Sequence, residues 1–218
     1  MTRAEKEVAV FRSLLAAVAA LVLILSLYLP AHAAPVTAVE LLDAKVDYTA
    51  NYYLNSSNGT FRGEVIHAPG RERRDFDTAA GHQTLLLRRD IDEATIIWPA
   101  RKWYITTRFD ALASLIGGVD GIVLDRKISG RQVIAGEPTT RYDVSSAAGQ
   151  AGGFAGQMWF TGDGILMKAK GRVVFRGREM PVETGLSNLR RTKADPAAFI
   201  RPPNYSGVPL DITKLGLR

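Results

Sequence analysis

The sequence contains no cysteine and only three histidines, and both shortages limit the chemistry available to the protein. Without cysteine the chain has no disulfides, and it cannot be a lipoprotein acylated on an N-terminal cysteine. Only His67 and His82 lie outside the N-terminal stretch, each beside a turn, and we expect both at the surface. A metal site is not expected, because metal sites draw on closely spaced cysteine, histidine and carboxylate ligands.

The chain also lacks a recognisable catalytic set. Its most conspicuous acidic cluster, Asp90, Asp92 and Glu93, occupies one turn, where carboxylates usually cap or face water, whereas acid–base work needs a buried carboxyl with a raised pKa. The glycines between 149 and 156 follow a loop rather than open a helix, so they do not form a phosphate cradle. The sequence therefore predicts a protein that is not an enzyme and needs no cofactor.

The N-terminus has the organisation of a secretory signal peptide. Arg3, Lys6 and Arg12 precede an apolar run over 14–29, and the small-residue motif Ala31-His32-Ala33 follows Pro30. A retained membrane anchor is the minor alternative, but at about 1.5 Å per residue the run reaches only about 24 Å, short of a hydrocarbon core of about 30 Å. We predict cleavage after Ala33, export to the periplasm, and a single domain over 34–218.

The formal net charge of the chain is +6 at pH 7. A basic exported protein can seek anionic membrane surfaces. The basic residues are scattered along the chain, however, and the charge can equally serve only to keep an alternating sheet soluble. Nucleic acid is not an expected partner, since no recognition module is present.

Short alternating runs separated by turn signals fill residues 46–189. The clearest strand is 46–54, and Asn58-Gly59 suits a hairpin turn into a strand over 60–68. Residues 71–78 are nearly all charged, which predicts a strand exposed on both faces for part of its length or one near an edge, with the next three runs more central. Further strands are expected at 122–128, 131–135, 139–145, 155–161, 165–170, 172–176 and 180–189, separated in part by the flexible loop over 147–153.

Helices are few. Thr37 and Glu40 have the spacing of a capping box, which predicts a short helix to about Ala44 that buries Val39 and Leu42. Helical spacing recurs from Phe109 to Ile116, and a helical turn is expected at 196–199 before an extended strap. The fold class is therefore mainly β: a single curved antiparallel sheet of about eleven strands, an unclosed β-barrel, with short helices covering its concave face.

The order of several short motifs resembles the LolA/LolB-like superfamily of periplasmic lipoprotein carriers and receptors, and most closely its uncharacterised exported branch. The motifs are Gly59-Thr60-Phe61, Pro69-Gly70 with Arg73 and Arg74, Leu86 to Asp90, Trp98-Pro99 with Lys102 and Tyr104, Met158 to Phe160 with Asp163-Gly164, and Asp195-Pro196 with Phe199 and Pro202. The resemblance implies an unclosed barrel with a helical lid and non-catalytic binding of a lipid or acyl group. It also implies a lid-holding arginine, for which Arg73, Arg74 and Arg88 compete.

Two hypotheses follow for the inward face of the sheet. In the first, this face is a pocket for a lipid, acyl chain or acylated protein, as in lipoprotein transport and outer membrane biogenesis. In the second, the core is filled and an envelope protein partner is recognised through edge strands or the 147–153 loop. The predicted ligand-binding residues are aromatic and apolar, and the lid helix supplies the last four: Tyr48, Tyr52, Phe61, Leu85, Leu87, Trp103, Phe109, Leu112, Leu115 and Ile116.

Overall fold

The structure, a computed structural model, describes residues 32–57, 59–78, 81–109, 122–146, 153–175 and 178–209, with only the backbone for 32–35 and 175. Thirteen strands form one curved, unclosed sheet. The strands are β1 His32–Thr37, β2 Tyr48–Ser56, β3 Gly59–Ala68, β4 Arg71–Thr78, β5 Gly81–Arg88, β6 Glu93–Trp98, β7 Trp103–Arg108, β8 Val123–Ile134, β9 Glu137–Ser146, β10 Gly153–Phe160, β11 Leu166–Phe175, β12 Arg178–Arg190 and β13 Ser206–Gly207.

Two meanders make up this sheet, and a single strand pairing joins them. The order across the sheet is β1-β8-β9-β10-β11-β12-β2-β3-β4-β5-β6-β7-β13. Strands β2 to β7 follow one another in space as in sequence, and so do β8 to β12. The two series meet where β12 pairs antiparallel with β2, with Leu186 opposite Tyr52 and Thr184 opposite Leu54. We call this β2–β12 pairing the seam.

The inner face of the sheet is defined by residues that stand directly opposite one another on neighbouring strands. Across β2, β3, β4 and β5 one such row runs Tyr48, His67, Glu72 and Leu87. Because side chains alternate between faces along a strand, residues two positions away, such as Arg74, share this face. Buried residues of β2, β3 and β11 form a core cluster on this side, including Tyr48, Tyr52, Val65 and Met167.

Close backbone contacts across the sheet explain two of its glycine positions. Gly156 of β10 stands opposite Gly171 of β11, and a Cβ at Gly156 would lie 2.5 Å from the Gly171 Cα. A Cβ at Gly63 would overlap the Asp75 carbonyl oxygen on β4. Glycine lets adjacent strands approach this closely, which is how a sheet accommodates sharp local bending.

Helix α1, Ala38–Leu42, begins with the predicted capping box. The Thr37 hydroxyl accepts a hydrogen bond from the Glu40 N–H at 3.2 Å, and the Thr37 N–H donates to Glu40 Oε2 at 3.2 Å. The prediction for the buried side of this helix was wrong: Ala38 and Leu41 are buried, whereas Val39 and Leu42 are half-buried. The reason is that α1 packs Ala38 and Leu41 against the core of the β8–β11 meander and turns Val39 and Leu42 towards a cavity.

The C-terminal strap, residues 191–209, crosses the outer face of the sheet. It contains the predicted turn as a 3-10 helix over Pro196–Phe199, capped by Asp195, whose side chain accepts from the Ala197 N–H at 2.9 Å. Phe199 is buried against Ala68 and Ala194, and the Ala198 carbonyl accepts a hydrogen bond from Arg73. The strap ends in β13, which pairs parallel to β7.

Most predicted strands are confirmed, with differences at the edges and in one charged strand. The two additional strands, β1 and β13, are the two edges of the sheet. The runs 122–128 and 131–135 form one strand, β8, whose pairing shifts between Ile128 and Gly130. The runs 165–170 and 172–176 likewise share one strand, β11, over Leu166–Phe175, and residue 176 lies outside the described residues. The edge position expected as one alternative for 71–78 was wrong, because β4 is paired on both sides, and Asp77 is its only exposed residue. Strand β7, expected to be central, has only the two-residue β13 beyond it.

Two predicted features fall outside the described residues. These are the helix after Phe109 and the loop over 147–152. In the part of the chain that the structure describes, no helix has the length and apolar character needed to cross a membrane.

Candidate functional site

A cavity of about 410 Å³ lies against the inner face, between α1 and the seam. Strands on both sides of the seam contribute to it, so both meanders form its wall. Its lining residues are Val39 and Leu42 from α1, Tyr48, Tyr52 and Leu54 from β2, Glu72 and Arg74 from β4, Leu85 and Leu87 from β5, Arg89, Phe109, Leu166 from β11, and Thr184, Gly185 and Leu186 from β12.

Most of the cavity wall is hydrocarbon. Leucines reach it from α1, β2, β5, β11 and β12, and Phe109 adds an aromatic ring. Strand alternation explains the contribution of β5, where Leu85 and Leu87 point inward while Leu86 is buried on the outer face. Such a wall suits an apolar ligand, because burying hydrocarbon releases about 0.8 kcal/mol per methylene.

Glu72 and two arginines form a charged corner in this apolar wall. Glu72 is only 2% exposed, and its Oε1 accepts a hydrogen bond from Arg74 Nε at 2.6 Å. The Arg74 guanidinium also lies over the Tyr52 ring, 5.1 Å from its centroid. Arg89 Nη2 lies 3.6 Å from Glu72 Oε2. The charged corner therefore holds one buried carboxylate between two guanidinium groups.

His67 is buried next to Glu72 in the charged corner. Its side chain is fully buried, its ring stacks on Tyr48 with centroids 4.8 Å apart, and Nε2 lies 2.9 Å from the Ala44 carbonyl oxygen. Its Nδ1 lies 3.4 Å from Glu72 Oε2. The surface position predicted for His67 was therefore wrong, because alternation along β3 places it with Val65 on the inner face. His82, by contrast, is half exposed and pairs with Asp77.

Burial and the neighbouring charges set the pKa values of the side chains in and beside the charged corner. Burial disfavours the charged form of Glu72, but the Arg74 guanidinium, the His67 hydrogen bond and Arg89 outweigh it and hold the pKa of Glu72 well below its usual range. Burial raises the pKa of Tyr52 to about 12 and that of Tyr48 further. Both phenols are therefore neutral hydrogen-bonding groups at physiological pH.

Half of the ten predicted binding residues line the cavity. These are Tyr48, Tyr52, Leu85, Leu87 and Phe109. Phe61 instead packs edge-on against Phe76 beyond the cavity. Trp103 shares the inner face by alternation with Ile105, but it is 45% exposed, with Arg101 over its ring. Leu112, Leu115 and Ile116 lie outside the described residues.

The three candidate arginines differ in position. Arg74 lines the cavity, Arg73 points to the outer face and pairs with Asp75, and Arg88 pairs with Asp90. Sequence reasoning did not include Arg89, which also lines the cavity. The missed signal was the position of Arg89 two residues after Leu87, which continues the inward alternation of β5 into the following turn. Within the described ranges, no cluster of histidine and carboxylate side chains could hold a metal ion.

Comparison with known proteins shows similarity in structure alone. No protein-family model and no curated protein matches the chain. An uncharacterised conserved protein from Thermus thermophilus superposes with a TM-score of 0.50 at 11% identity, covering 79% of this chain and 96% of that one. The mainly β, unclosed-sheet fold that the resemblance implied is confirmed. At this identity the similarity concerns the fold and not the function.

Two further structures are more distant. MucB in the MucA/MucB complex of Pseudomonas aeruginosa matches with a TM-score of 0.46 at 11% identity, over 78% of this chain and 62% of that one. A structure from Vibrio parahaemolyticus, described as a putative outer membrane lipoprotein-sorting protein domain, matches with a TM-score of 0.36 at 10% identity, over 74% of this chain and 92% of that one. We derive no function from either.

Proposed function

We propose that this protein is exported to the periplasm and there binds or carries a lipid, an acyl chain or an acylated protein in the cavity, without catalysis. The observation that carries the proposal is the composition of the cavity wall, in which leucines and aromatic rings surround one charged corner. Ligand sites generally combine such an apolar surface with a few polar groups that fix orientation. An amphiphile satisfies both parts of this wall.

Export rests on the predicted signal peptide. Cleavage after Ala33 would leave residues 34–37 of β1 in the mature protein, together with the complete capping box of α1. The retained membrane anchor is the alternative outcome. Mass spectrometry of the intact protein recovered from a bacterial periplasm distinguishes the two, since the cleaved chain begins at Ala34.

The alternative function, partner recognition by a protein with a filled core, is less well supported, because the inner face encloses open volume. Extraction of the natively purified protein and mass spectrometry of the extract test the choice. We expect bound acyl lipid. A lipid-free protein that also fails to take up acyl probes would contradict the carrier proposal and favour partner recognition.

A cavity-filling variant makes this test specific. Leu85→Trp places a larger side chain into the cavity wall and should lower the amount of bound lipid. Ile128→Trp is the matched control, since Ile128 is half exposed on β8 and does not line the cavity. Circular dichroism checks that both variants fold. Equal lipid content in the two variants would show that lipid binds elsewhere.

A further inference from the structure

We propose that the ligand of this cavity is a single-chain amphiphile whose anionic head group, a carboxylate or a phosphate monoester, pairs with Arg89. This inference rests on the proposed function and specifies its ligand. The leucine-rich wall would contact the hydrocarbon chain of the ligand, and the charged corner would bind its head group.

Arg89 is a largely buried cation, and much of its hydrogen-bonding capacity is not used among the described residues. Its side chain is only 12% exposed, and its Nε and Nη1 are buried without a hydrogen-bond partner among the described residues. A guanidinium has five N–H donors, and unpaired buried donors of a charged group are costly. Its guanidinium also lies 5.6 Å from the centroid of the Phe109 ring, which offers no oxygen acceptor. An anionic oxygen in the cavity would supply the missing acceptor.

The neighbouring carboxylates are engaged elsewhere. Asp43 lies 3.6 Å from Arg89 Nη1, but its two oxygens accept from the Gly70 N–H at 3.0 and 3.2 Å. Glu72 lies 3.6 Å from Arg89 Nη2 and is held by Arg74 and His67. Both contacts to Arg89 exceed hydrogen-bonding distance, so they balance its charge in part while leaving its donors free.

The charge of the cavity wall also favours an anion. Glu72 is the only acidic residue among the lining residues, whereas Arg74 and Arg89 are both cationic. His67 adds no acceptor to the corner, because its two ring nitrogens face the Ala44 carbonyl oxygen and the Glu72 carboxylate. An anionic head beside Arg89 would therefore meet a lining with two cationic side chains and one anionic one, with Asp43, outside the lining, balancing part of the Arg89 charge.

The size of the cavity favours one chain. Its volume of about 410 Å³ lies in the lower part of the range of about 300–1,000 Å³ typical of sites that enclose one small-molecule ligand. Leucines from four strands and α1 surround this volume on both sides of the seam. The dimensions fit one acyl chain better than a multi-chain lipid anchor.

The experiment compares twelve-carbon probes that differ only in their head groups. Delipidated mature protein is titrated calorimetrically with laurate, dodecyl phosphate and dodecanol. We expect the two anionic probes to bind at least about tenfold more tightly than dodecanol, as a charge-assisted hydrogen bond implies. Arg89→Gln should remove this preference, whereas Arg88→Gln, at the adjacent position outside the cavity lining, should leave all three affinities unchanged.

Each outcome bears on a different part of the inference. If wild-type protein binds all three probes equally, the anionic head group is excluded while lipid binding stands. If it binds none of them, the proposed function fails as well. If acetate or inorganic phosphate alone binds as tightly as laurate or dodecyl phosphate, the chain contributes nothing and the single-chain ligand is wrong. If Arg89→Gln does not fold, Arg89→Lys is measured in its place. The preference of the wild-type protein for the two anionic probes over dodecanol then decides whether the head group is anionic.

Discussion

Glu72 keeps its negative charge at a buried position because Arg74, His67 and Arg89 surround it. Removing one member of such a group leaves the other charges buried without compensation, which typically costs about 3–5 kcal/mol. We therefore expect Glu72→Gln to lower the free energy of unfolding by about that amount at pH 7, measured by urea denaturation. Glu179→Gln, in an exposed pair with Arg172, is the control and should change it by less than about 1 kcal/mol.

The same residue predicts how stability depends on pH. Because the folded-state pKa of Glu72 is lower than its ordinary value of 4.5, its contribution is complete above pH 4.5 and is lost as the pH falls towards the folded-state pKa. Wild-type protein should therefore lose stability below about pH 4.5, and Glu72→Gln should lose less, since only groups such as Asp75 and Asp163 remain to titrate. Parallel pH profiles for the two proteins would contradict this explanation.

At the scale of elements, the C-terminal strap stabilises the outer face without taking part in the cavity. Phe199 is 3% exposed on that face, and Ile200, the next residue, is 62% exposed. Phe199→Ala should cost roughly 3 kcal/mol, the lower part of the range for buried aromatic residues, whereas Ile200→Ala should cost little. Thermal unfolding measures both. Laurate affinity should be the same in both variants, and its loss in Phe199→Ala would show that the strap supports the cavity.

Sequence patterns sufficed for elements whose signals are local. The alternation of residues 46–54 identified β2 and two of the cavity-lining residues, Tyr48 and Tyr52, and Thr37 with Glu40 identified the start of α1. Strand β4 could not be interpreted in this way, because Glu72 and Arg74 on one face and Arg73 and Asp75 on the other give no hydrophobic alternation. Their burial is decided by the neighbouring strands β3 and β5, and that pairing is not visible within β4 itself.

Local patterns also could not show where the cavity ends. Phe61 and Trp103 have the residue type and the alternation expected of the inner face. Whether each reaches the cavity depends on its position along its strand and on the position of that strand in the sheet. Arg89 was missed for a related reason. The sequence places it at the end of the strand over 83–89, whereas in the structure it begins the 3-10 helix over Arg89–Ile91 and lines the cavity.

At the scale of the whole molecule, a bound ligand should tie the two meanders together. Hydrogen–deuterium exchange should slow in β2, β4, β5, β11 and β12 when laurate is added, because residues of these strands line the cavity. At a hundredfold excess over Kd the stabilisation is about 2.7 kcal/mol, enough to be detected. The hairpin between β8 and β9 contributes no lining residue and serves as the internal reference. Uniform slowing over all strands would contradict a ligand placed at the seam.

The seam also sets the order in which the chain can assemble. Tyr53 of β2 and Glu183 of β12 are 130 residues apart in the sequence. Every pairing within either meander, by contrast, joins strands that are consecutive in the sequence. Contacts between distant residues form late, since closing a long loop costs entropy before any contact compensates for it. Each meander can therefore form from nearby residues, but the cavity requires β12. The cavity can therefore be completed only after almost the entire chain has been synthesised.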